Sequence, residues 1–202
     1  MNRLGQNNYA QLCGLCCGEP VFSHTNRSER FYRFPLRTQR LSGACDTVNV
    51  LARERLLEGL TTEGTRLSLT GEVRTFNNQS GVGARLVISL FARSIAPAET
   101  ARDENLVLLT GTLCKEPVLR RTPLGRDICD LMVAVNRHYG RSDYLPCLVW
   151  GERAHAAARW RVGTVVSLTG RLQSRDYQKL LPNGAAENRT AFEISVTEIE
   201  PT

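Results

Sequence analysis

The chain has 202 residues and a formal net charge of +6, and 24 of its 26 basic residues are arginine. It contains no run of about 18 apolar residues that would span a membrane, and its first residues lack an apolar signal-peptide region. These features argue against a transmembrane or secreted protein, and we expect a cytoplasmic one. The arginine bias favours a polyanionic partner, because a guanidinium pairs with phosphate and can also lie flat on a base.

Cysteine occurs seven times, and without a secretion signal these residues are expected to be free thiols. Cys13, Cys16 and Cys17 form a CxxCC cluster that could be half of a zinc site. The cluster lies inside an apolar, strand-like run, no second CxxC or CxxH pair follows it, and the three histidines are scattered. We therefore interpret these cysteines as small buried apolar residues and expect neither a metal nor a cofactor.

The chain contains an internal repeat. Leu12–Thr25 lies over Leu109–Thr122 without a gap, and seven of the fourteen positions are identical. Further along, after an insertion of two residues, Gly64–Gly71 lies over Gly163–Gly170 with six of eight positions identical. Unrelated segments match at roughly one position in fifteen with ordinary residue usage. The sequence is therefore a tandem duplication.

The spacing of the two copies predicts two domains. Their offset of 97 residues is too long for a solenoid repeat and suits a small independent domain. The copies are joined by Ala96–Asn105, which combines proline, small residues and charges without apolar periodicity. We place the boundary near Thr100, which gives domains 1–100 and 101–202.

The residue pattern of each copy predicts strands, then one short helix, then further strands. In the second copy the strands are predicted near Leu106–Cys114, Ile128–Arg137, Tyr144–Trp150, Thr164–Arg175 and Thr190–Ile199. In the first copy they are predicted near Ala10–Gly18, Phe31–Arg37, Thr47–Arg53, Arg66–Thr75 and Arg85–Ile95. A helix is expected over Glu152–Arg161, with Trp160 as a core residue, and a shorter one near Glu54–Leu60.

Five strands with a helix between the third and the fourth follow the order of the OB-fold, a partly open Greek-key barrel. A strand, a helix and a strand could also form a βαβ unit. The alternation of polar and apolar residues disfavours that reading, because buried parallel strands are continuously apolar. We predict an all-β protein made of two tandem OB-fold five-stranded barrels.

Side-chain parity identifies a surface of rings and arginines on the second copy. Tyr144 and Trp150 share one parity of the third strand, and Arg171 and Tyr177 share the polar parity of the fourth. Tyr139 follows the end of the second strand. The alternative is that the rings belong to the core and that the arginines are ordinary solvated charges. Rings among guanidinium groups suit a surface that stacks bases and neutralises phosphates.

The basic residues of the second copy supply candidate phosphate ligands in and around its strands and loops. They are Arg120, Arg121, Arg126, Arg137, Arg141, Arg171, Arg175, Lys179 and Arg189. Gln178–Arg189 is predicted to be a loop long enough to fold over a bound strand. A secondary site on the first copy would use Phe31, Arg33, Arg37, Arg40, Arg74 and Phe76.

From Asn105 to about Pro201 the sequence resembles the bacterial single-stranded DNA-binding proteins. The resemblance is carried by NLVLLTGTLCKEPVLRRTPLGRDICDLMVAVNR, DYLPCLVWGERA, GTVVSLTGRLQSRDY and AFEISVTEIEP. It implies an OB-fold that binds single strands by base stacking. It also implies that Tyr139, Tyr144, Trp150 and Tyr177 are the stacking residues, because the matching family positions are aromatic.

The first copy, from Asn8 to about Pro97, resembles a diverged member of the same family. Thr47 stands where Tyr144 does, Arg53 opposite Trp150, and Glu72 opposite Arg171; Asn78 lies near the position of Tyr177. We therefore expect weaker or secondary binding there, and a larger role in assembly.

The resemblance implies that the protein binds single-stranded DNA without strong sequence preference and protects it during replication, recombination and repair. A homodimer in the cytoplasm, associated with the nucleoid, is expected. The given sequence stops after the last strand at Thr202, so recruitment of replication or repair proteins through an acidic tail tip is not expected. The alternative within the same fold is a primosome-type accessory protein that docks replication partners.

An enzyme is not expected. Asp46 and Asp143 fall on each other in the repeat, as do Arg40 and Arg137, so each copy has a single carboxylate at a strand start. A nuclease that uses two metal ions would need clustered carboxylates. A further alternative is that the first copy binds protein only.

Overall fold

The computed structural model describes residues 7–60, 63–78, 86–98, 102–137, 139–180 and 184–202, which form strands with a single short α-helix among them. The chain divides into two compact units. The N-terminal unit comprises Asn8–Arg74 and Ile88–Val107, and the C-terminal unit comprises Met1–Asn7, Thr75–Val87 and Leu108–Thr202. The boundary predicted near Thr100 lies outside the described residues.

Six strands are built from the first repeat. They are β1 (Asn8–Cys16), β2 (Val21–Asn26), β3 (Glu29–Gln39), β4 (Cys45–Arg53), β5 (Arg66–Asn77) and β6 (Leu86–Pro97). Their order in the sheet is β2-β3-β4-β6-β5-β1, and β1 returns to pair with β3. The β4–β6 pairing is parallel, whereas the β3–β4 pairing is antiparallel. This closure gives the partly open Greek-key barrel that the sequence predicted.

The second repeat builds the same barrel. Its elements are β7 (Glu104–Leu113), β8 (Val118–Arg121), β9 (Asp127–Asn136), β10 (Ser142–Trp150), α1 (Glu152–Ala157), β11 (Val165–Leu180) and β12 (Ala186–Pro201). Their order is β8-β9-β10-β12-β11-β7, and β7 closes onto β9. The β10–β12 pairing is parallel, as is the β4–β6 pairing in the first barrel. The all-β class and the tandem OB-folds are confirmed, but each repeat has one strand more than the five predicted, namely β2 in the first and β8 in the second.

The alternation of polar and apolar residues along the strands determines which side chains form the core of each barrel. In β9 the residues Leu131, Val133 and Val135 are buried, and their neighbours along the strand are more exposed. Two glycines permit the strands to approach closely: a Cβ built on Gly71 would lie 2.2 Å from the carbonyl oxygen of Phe91, and one on Gly170 would lie 2.7 Å from that of Ser195. These glycines belong to the repeated SLTG motif, and the motif therefore marks a backbone contact.

The helices are shorter than predicted. α1 ends at Ala157, not near Arg161, and the region near Glu54–Leu60 forms only a 3-10 turn at Glu54–Leu56. Ala154 and Ala157 are the buried residues of α1, whereas Trp160 lies after the helix and is half-buried. A helix of this length buries one small apolar face, which alanine fills without needing a large ring. No helix among the described residues is long and apolar enough to cross a membrane.

Two segments that were not predicted as strands, the connection between the first two strands of the second copy and the predicted loop Gln178–Arg189, contain strands. Arg120 and Arg121 lie on β8, which forms a hairpin with β9. The predicted loop Gln178–Arg189 is mostly a second hairpin, since β11 continues to Leu180 and β12 begins at Ala186. Residues of β11 and β12 pair across this hairpin, and these cross-strand pairs stabilise the part of it that extends beyond the barrel.

Candidate nucleic-acid interface

The strand register brings β10, β12 and β11 together into one surface of the C-terminal barrel. Leu148 on β10 lies opposite Ser195 on β12, and Ser195 lies opposite Arg171 on β11. Residues directly opposite each other point to the same face, and so do residues two apart along a strand. Trp150 and Tyr144 therefore share this face with Arg171. We call this surface the C-terminal outer face.

The C-terminal outer face continues along β11 into the β11–β12 hairpin. Leu172 is buried, so the residues of opposite parity point outward. Tyr177 has this outward parity and lies opposite Arg189 on β12. The guanidinium of Arg175 lies 5.6 Å from the centroid of the Tyr177 ring, close enough for a cation–π contact. Rings and guanidinium groups thus alternate over the length of the surface.

The four predicted stacking rings are on the surface of the barrel, not in its core. Tyr144 is 51% exposed and Trp150 is 38% exposed. Tyr177 is half-buried, and Tyr139 is 98% exposed. Tyr144 and Trp150 are therefore not core residues, which was the alternative left open by their sequence pattern.

Trp150 is held at its edge by a serine that parity reasoning did not single out. The indole Nε1 donates a hydrogen bond of 3.3 Å to Oγ of Ser195. Ser195 lies between Trp150 and Arg171 across the sheet. The hydrogen bond leaves the ring face open. In the sequence, the role of Ser195 was indicated only by the outward parity of a small polar residue on the last strand.

Tyr139 lies between β9 and β10 in a turn closed by Arg137 and Arg141, which we call the β9–β10 turn, and its backbone is strained. Its φ is 80°, in the left-handed region that L-residues with a side chain rarely adopt. The backbone N–H of Arg137 donates to the carbonyl oxygen of Arg141, which closes the turn at 2.7 Å. Strain of this kind is typical of binding loops, where it presents a side chain in a fixed direction.

Arg137 was expected to contact phosphate, but the structure places its guanidinium in an ion pair with Asp143, whose side chain is fully buried. Its Nε donates to Oδ2 of Asp143 at 2.7 Å. The first repeat has the same pair: Arg40 donates to Asp46, also fully buried, through Nε at 2.8 Å. The repeat-equivalent arginines and aspartates are therefore structural partners. Neither pair resembles a catalytic carboxylate cluster.

Several other predicted phosphate ligands are engaged by carboxylates. Arg120 donates to Asp130, and this hydrogen bond is the chief cause of the raised pKa of Arg120. Arg189 pairs with Glu187, which chiefly raises the pKa of that guanidinium.

Asp127 on β9 contacts side chains from two further elements of the C-terminal barrel, β8 and α1. Arg121 pairs with it from β8, and His155 lies 3.1 Å from its Oδ2 from α1. The hydrogen bonds from Arg121 and His155 lower the pKa of Asp127. Its carboxylate therefore stays charged at neutral pH, and Arg121 remains engaged.

The remaining predicted ligands are better placed to meet an anion. Arg126 and Arg141 are exposed, and no carboxylate pairs with either among the described residues. Arg171 also lacks such a pair there, and its buried Nε has no hydrogen-bond partner. Arg175 is 3.9 Å from Glu193, a distance at which an exposed ion pair contributes little. The side chain of Lys179 lies outside the described residues.

The equivalent surface of the first repeat, which we call the N-terminal outer face, is covered by its own side chains. Phe31 has outward parity but is only 6% exposed, so it does not offer an open ring as the secondary site required. His24 stacks on it with centroids 4.9 Å apart. Arg53, in the place of Trp150, lies 5.9 Å from the centroid of Phe31 and 5.2 Å from that of Phe91.

Most cations of the N-terminal outer face are paired as well. Glu72, in the place of Arg171, forms ion pairs with both Arg74 and Arg93. Arg33 and Arg37 are exposed on β3, and neither has a carboxylate partner in the described part of the chain. The other secondary-site ring, Phe76, is 54% exposed but belongs to residues 75–87 of the C-terminal unit.

The cysteines do not form a metal site within the part of the chain that the structure describes. Cys13 and Cys16 are buried and free, whereas Cys17 is exposed. Desolvation by burial raises the pKa of both Cys13 and Cys16. Cys13 and Cys16 therefore remain protonated thiols at neutral pH and pack as small apolar residues, as the sequence predicted, whereas the prediction of burial was wrong for Cys17.

An OB-fold barrel that presents rings and unpaired arginines on one sheet surface defines a protein of the single-stranded nucleic-acid-binding class. The single-strand binding protein family model matches residues 104–202. That range is the second repeat with its outer face. The chain belongs to the single-strand binding protein family.

Curated relatives match the same half of the chain. Single-stranded DNA-binding protein 3 of Streptococcus agalactiae is 31% identical over 102 residues, which cover 47% of this chain and 67% of the relative. Single-stranded DNA-binding protein A of Bacillus subtilis is 32% identical over 103 residues, which cover 48% of this chain and 55% of the relative. The chain thus spans between about half and two thirds of the length of these relatives.

A solved structure resembles both barrels together. The wild-type single-stranded DNA-binding protein from Thermus aquaticus superposes with a TM-score of 0.77 at 22% identity, covering 96% of this chain and 92% of that one. At this identity the likeness concerns the fold. It agrees with two OB-folds in tandem.

Proposed function

We propose that this protein binds single-stranded DNA with little sequence preference, chiefly on the C-terminal outer face, and protects it during replication, recombination and repair. The observation that carries the proposal is the shared orientation of Tyr144, Trp150 and Arg171, which the strand register brings onto one open surface. Membership of the family supports it, since the curated relatives are named for binding single-stranded DNA.

Bases stack on the exposed rings in this mechanism. Each stacked base contributes about 1 to 3 kcal/mol, and every base has a flat face, so affinity does not depend on sequence. Tyr144 and Trp150 take bases in the middle of the surface, Tyr177 at the hairpin and Tyr139 at the β9–β10 turn.

Phosphates are neutralised by the arginines without strong carboxylate partners. Arg171 lies in the centre of the surface, with Arg175 further along β11, and Arg126 and Arg141 lie in turns. Arg120, Arg121, Arg137 and Arg189 would first have to leave their carboxylates, which reduces their contribution. Each phosphate contact releases counterions, so affinity falls as salt rises.

We also propose that two chains associate as a homodimer, so that four barrels form one particle, and that the protein acts in the cytoplasm at the nucleoid. The family resemblance supports this assembly, because some members are dimers of two-barrel chains. Light scattering should give twice the chain mass of 22.5 kDa. A monomer at micromolar concentration would contradict the homodimer.

A fluorescence titration tests the binding proposal. The Trp160→Phe variant leaves Trp150 as the sole tryptophan reporter, because the chain has two tryptophans. Oligothymidylate should quench its emission, and the logarithm of the binding constant should fall by about 0.7 for each phosphate contact per tenfold increase in salt. A duplex of matched length is the control and should quench less. Unchanged emission together with an affinity that is insensitive to salt would refute the proposal.

A further inference from the structure

Thr75 is a buried residue at the end of β5 that makes hydrogen bonds with three of its polar groups. It belongs by sequence to the first repeat, but it lies in the C-terminal unit together with residues 108–202. It is only 7% exposed. Its N–H, its hydroxyl and its carbonyl oxygen all engage residues at the base of the β9–β10 turn, which carries Tyr139 and leads into Tyr144.

The three groups of Thr75 engage both sides of this turn. Its backbone N–H donates to Oδ1 of Asp143 at 2.6 Å, and its carbonyl oxygen accepts from Nη2 of Arg137 at 2.7 Å. Its hydroxyl donates to Oδ1 of Asp143 at 3.3 Å and accepts from the backbone N–H of Tyr144 at 3.1 Å. The turn is therefore held at its entry through Arg137 and at its exit through Asp143 and Tyr144.

A second segment braces the entry of the same turn. Nδ2 of Asn7 donates to the carbonyl oxygen of Asn136 at 2.7 Å, and the carbonyl oxygen of Asn7 accepts from the N–H of Thr110 at 2.9 Å. Asn7 also lies in the C-terminal unit. Two stretches that precede the second repeat in sequence thus fix the loop that presents its rings.

We propose that Thr75 is a positioning residue for DNA binding: its hydroxyl fixes the β9–β10 turn so that Tyr139 and Tyr144 are pre-oriented for stacking. This inference rests on the proposed function. Tyr139 already has a strained backbone, and a strained conformation persists only where the surroundings hold it. A pre-oriented ring does not lose rotational freedom when a base stacks on it, and affinity rises accordingly.

Through this contact the first repeat would contribute to binding although its own outer face is covered. The hydroxyl at the end of β5 supplies an acceptor for the part-buried backbone N–H of Tyr144. A residue without a hydroxyl would leave that N–H without this acceptor, whereas Oδ1 of Asp143 would keep the N–H of Thr75 and the guanidinium of Arg137 as donors. The turn would then sample other conformations, while the backbone hydrogen bonds of Thr75 would remain.

The test is the Thr75→Val substitution, which keeps the shape and the backbone groups of the residue and removes only the hydroxyl. We expect affinity for labelled oligothymidylate, measured by fluorescence anisotropy, to fall about three- to tenfold, the factor that follows from losing one hydrogen bond. Thr75→Ser retains the hydroxyl and should restore binding. If Thr75→Val does not fold, Thr75→Ala, which places no methyl group where the hydroxyl was, replaces it.

Thr38→Val is the matched control. Thr38 is 2% exposed, and its hydroxyl has no hydrogen-bond partner. The same change of side chain at this position should leave the affinity unchanged. An equal loss of affinity in both variants would indicate a general packing effect and would overturn the proposal.

Two further readouts separate positioning from simple stability. Amide exchange of Tyr144 should accelerate in Thr75→Val and stay slow in Thr75→Ser, because its N–H loses its acceptor only in the former. The affinity loss of Thr75→Val should also largely disappear when Tyr139 and Tyr144 are both already alanine. Additive losses in that triple variant, or unchanged exchange with unchanged affinity, would overturn the proposal. If wild-type protein does not bind oligothymidylate, the proposed function itself fails, whereas normal wild-type binding with normal Thr75→Val binding refutes only the role of Thr75.

Discussion

The two outer faces share a backbone plan and differ in whether their side chains are free. On the C-terminal outer face Trp150 is exposed and Arg171 has no carboxylate partner among the described residues. On the N-terminal outer face Arg53 covers two phenylalanine rings, and Glu72 neutralises two arginines. The second repeat thus keeps Trp150 and Arg171 available at the centre of its face, whereas the first uses the equivalent residues to cover or neutralise its neighbours.

This difference shows that the number of rings and arginines on a surface does not measure its capacity to bind DNA. A guanidinium already stacked on a ring or paired with a carboxylate must give up that contact before it meets phosphate. Replacing Trp150 by arginine and Arg171 by glutamate, as at the equivalent first-repeat positions, converts an open surface into a closed one. Four substitutions test this interpretation.

The largest effect is expected from Trp150→Ala. The loss of one stacked base corresponds to about 1 to 3 kcal/mol, or roughly 5- to 150-fold weaker binding of oligothymidylate by anisotropy. The matched control is Arg53→Ala at the equivalent position of the first repeat, which should leave affinity almost unchanged. Equal losses in the two variants would show that both faces stack bases.

The next largest effect is expected from Arg171→Glu, which puts the residue of the first repeat into the second. We expect about tenfold weaker binding at low salt, because one phosphate contact is lost and a repulsion is added. The salt slope should become shallower by about 0.7. Arg159→Glu, on an exposed arginine just after α1, changes the net charge equally. If that control weakens binding as much, the effect reflects net charge and not the surface.

A smaller effect in the opposite direction is expected from Glu72→Gln. Removal of the carboxylate leaves Arg93 and Arg74 without their shared partner, so the N-terminal outer face gains positive potential. Affinity should rise about twofold to fivefold, with a steeper salt dependence. Glu63→Gln, in an exposed turn, is the control for charge. No change in affinity relative to that control would show that the face is closed for another reason.

The smallest effect is expected from Ser195→Ala, which removes the acceptor of the Trp150 indole N–H. The ring stays on the surface but is less firmly oriented, and affinity should fall about twofold, less than the full value of a hydrogen bond. Ser195→Thr keeps a hydroxyl and should bind like wild type. A loss as large as that of Trp150→Ala would mean that Ser195 contacts the DNA itself.

Much of the C-terminal outer face could be predicted from the sequence, because side-chain direction in a strand alternates residue by residue. Parity put Tyr144 and Trp150 on one face of β10 and Arg171 on the polar face of β11, and the exposure of the two rings then excluded the core alternative. Parity failed for Phe31, which points outward yet is covered by His24 and Arg53. Coverage depends on neighbours from other strands, and the pattern of one strand contains no information about them.

The ion pairs between arginines and carboxylates could not be predicted from the sequence pattern either. Arg120 and Asp130 lie ten residues apart and meet only because β8 folds back on β9. The extension of β11 and β12 into a hairpin likewise replaced the loop predicted over Gln178–Arg189. The segment contains a proline and a glycine, which are typical of a loop, but the residues on either side of them pair across two strands.

The sequence by itself determined that this protein is a duplicated all-β chain, because repeat identity and the alternation of polar and apolar residues can be read from the chain alone, and its motifs resemble those of the single-strand binding family. Only the tertiary structure decided which arginines are unpaired, which rings are open, and that Thr75 reaches the β9–β10 turn of the second barrel. These properties depend on strand register and on contacts between residues distant in sequence. The free energy of a charged or aromatic group depends on its neighbours in space, and folding supplies those neighbours.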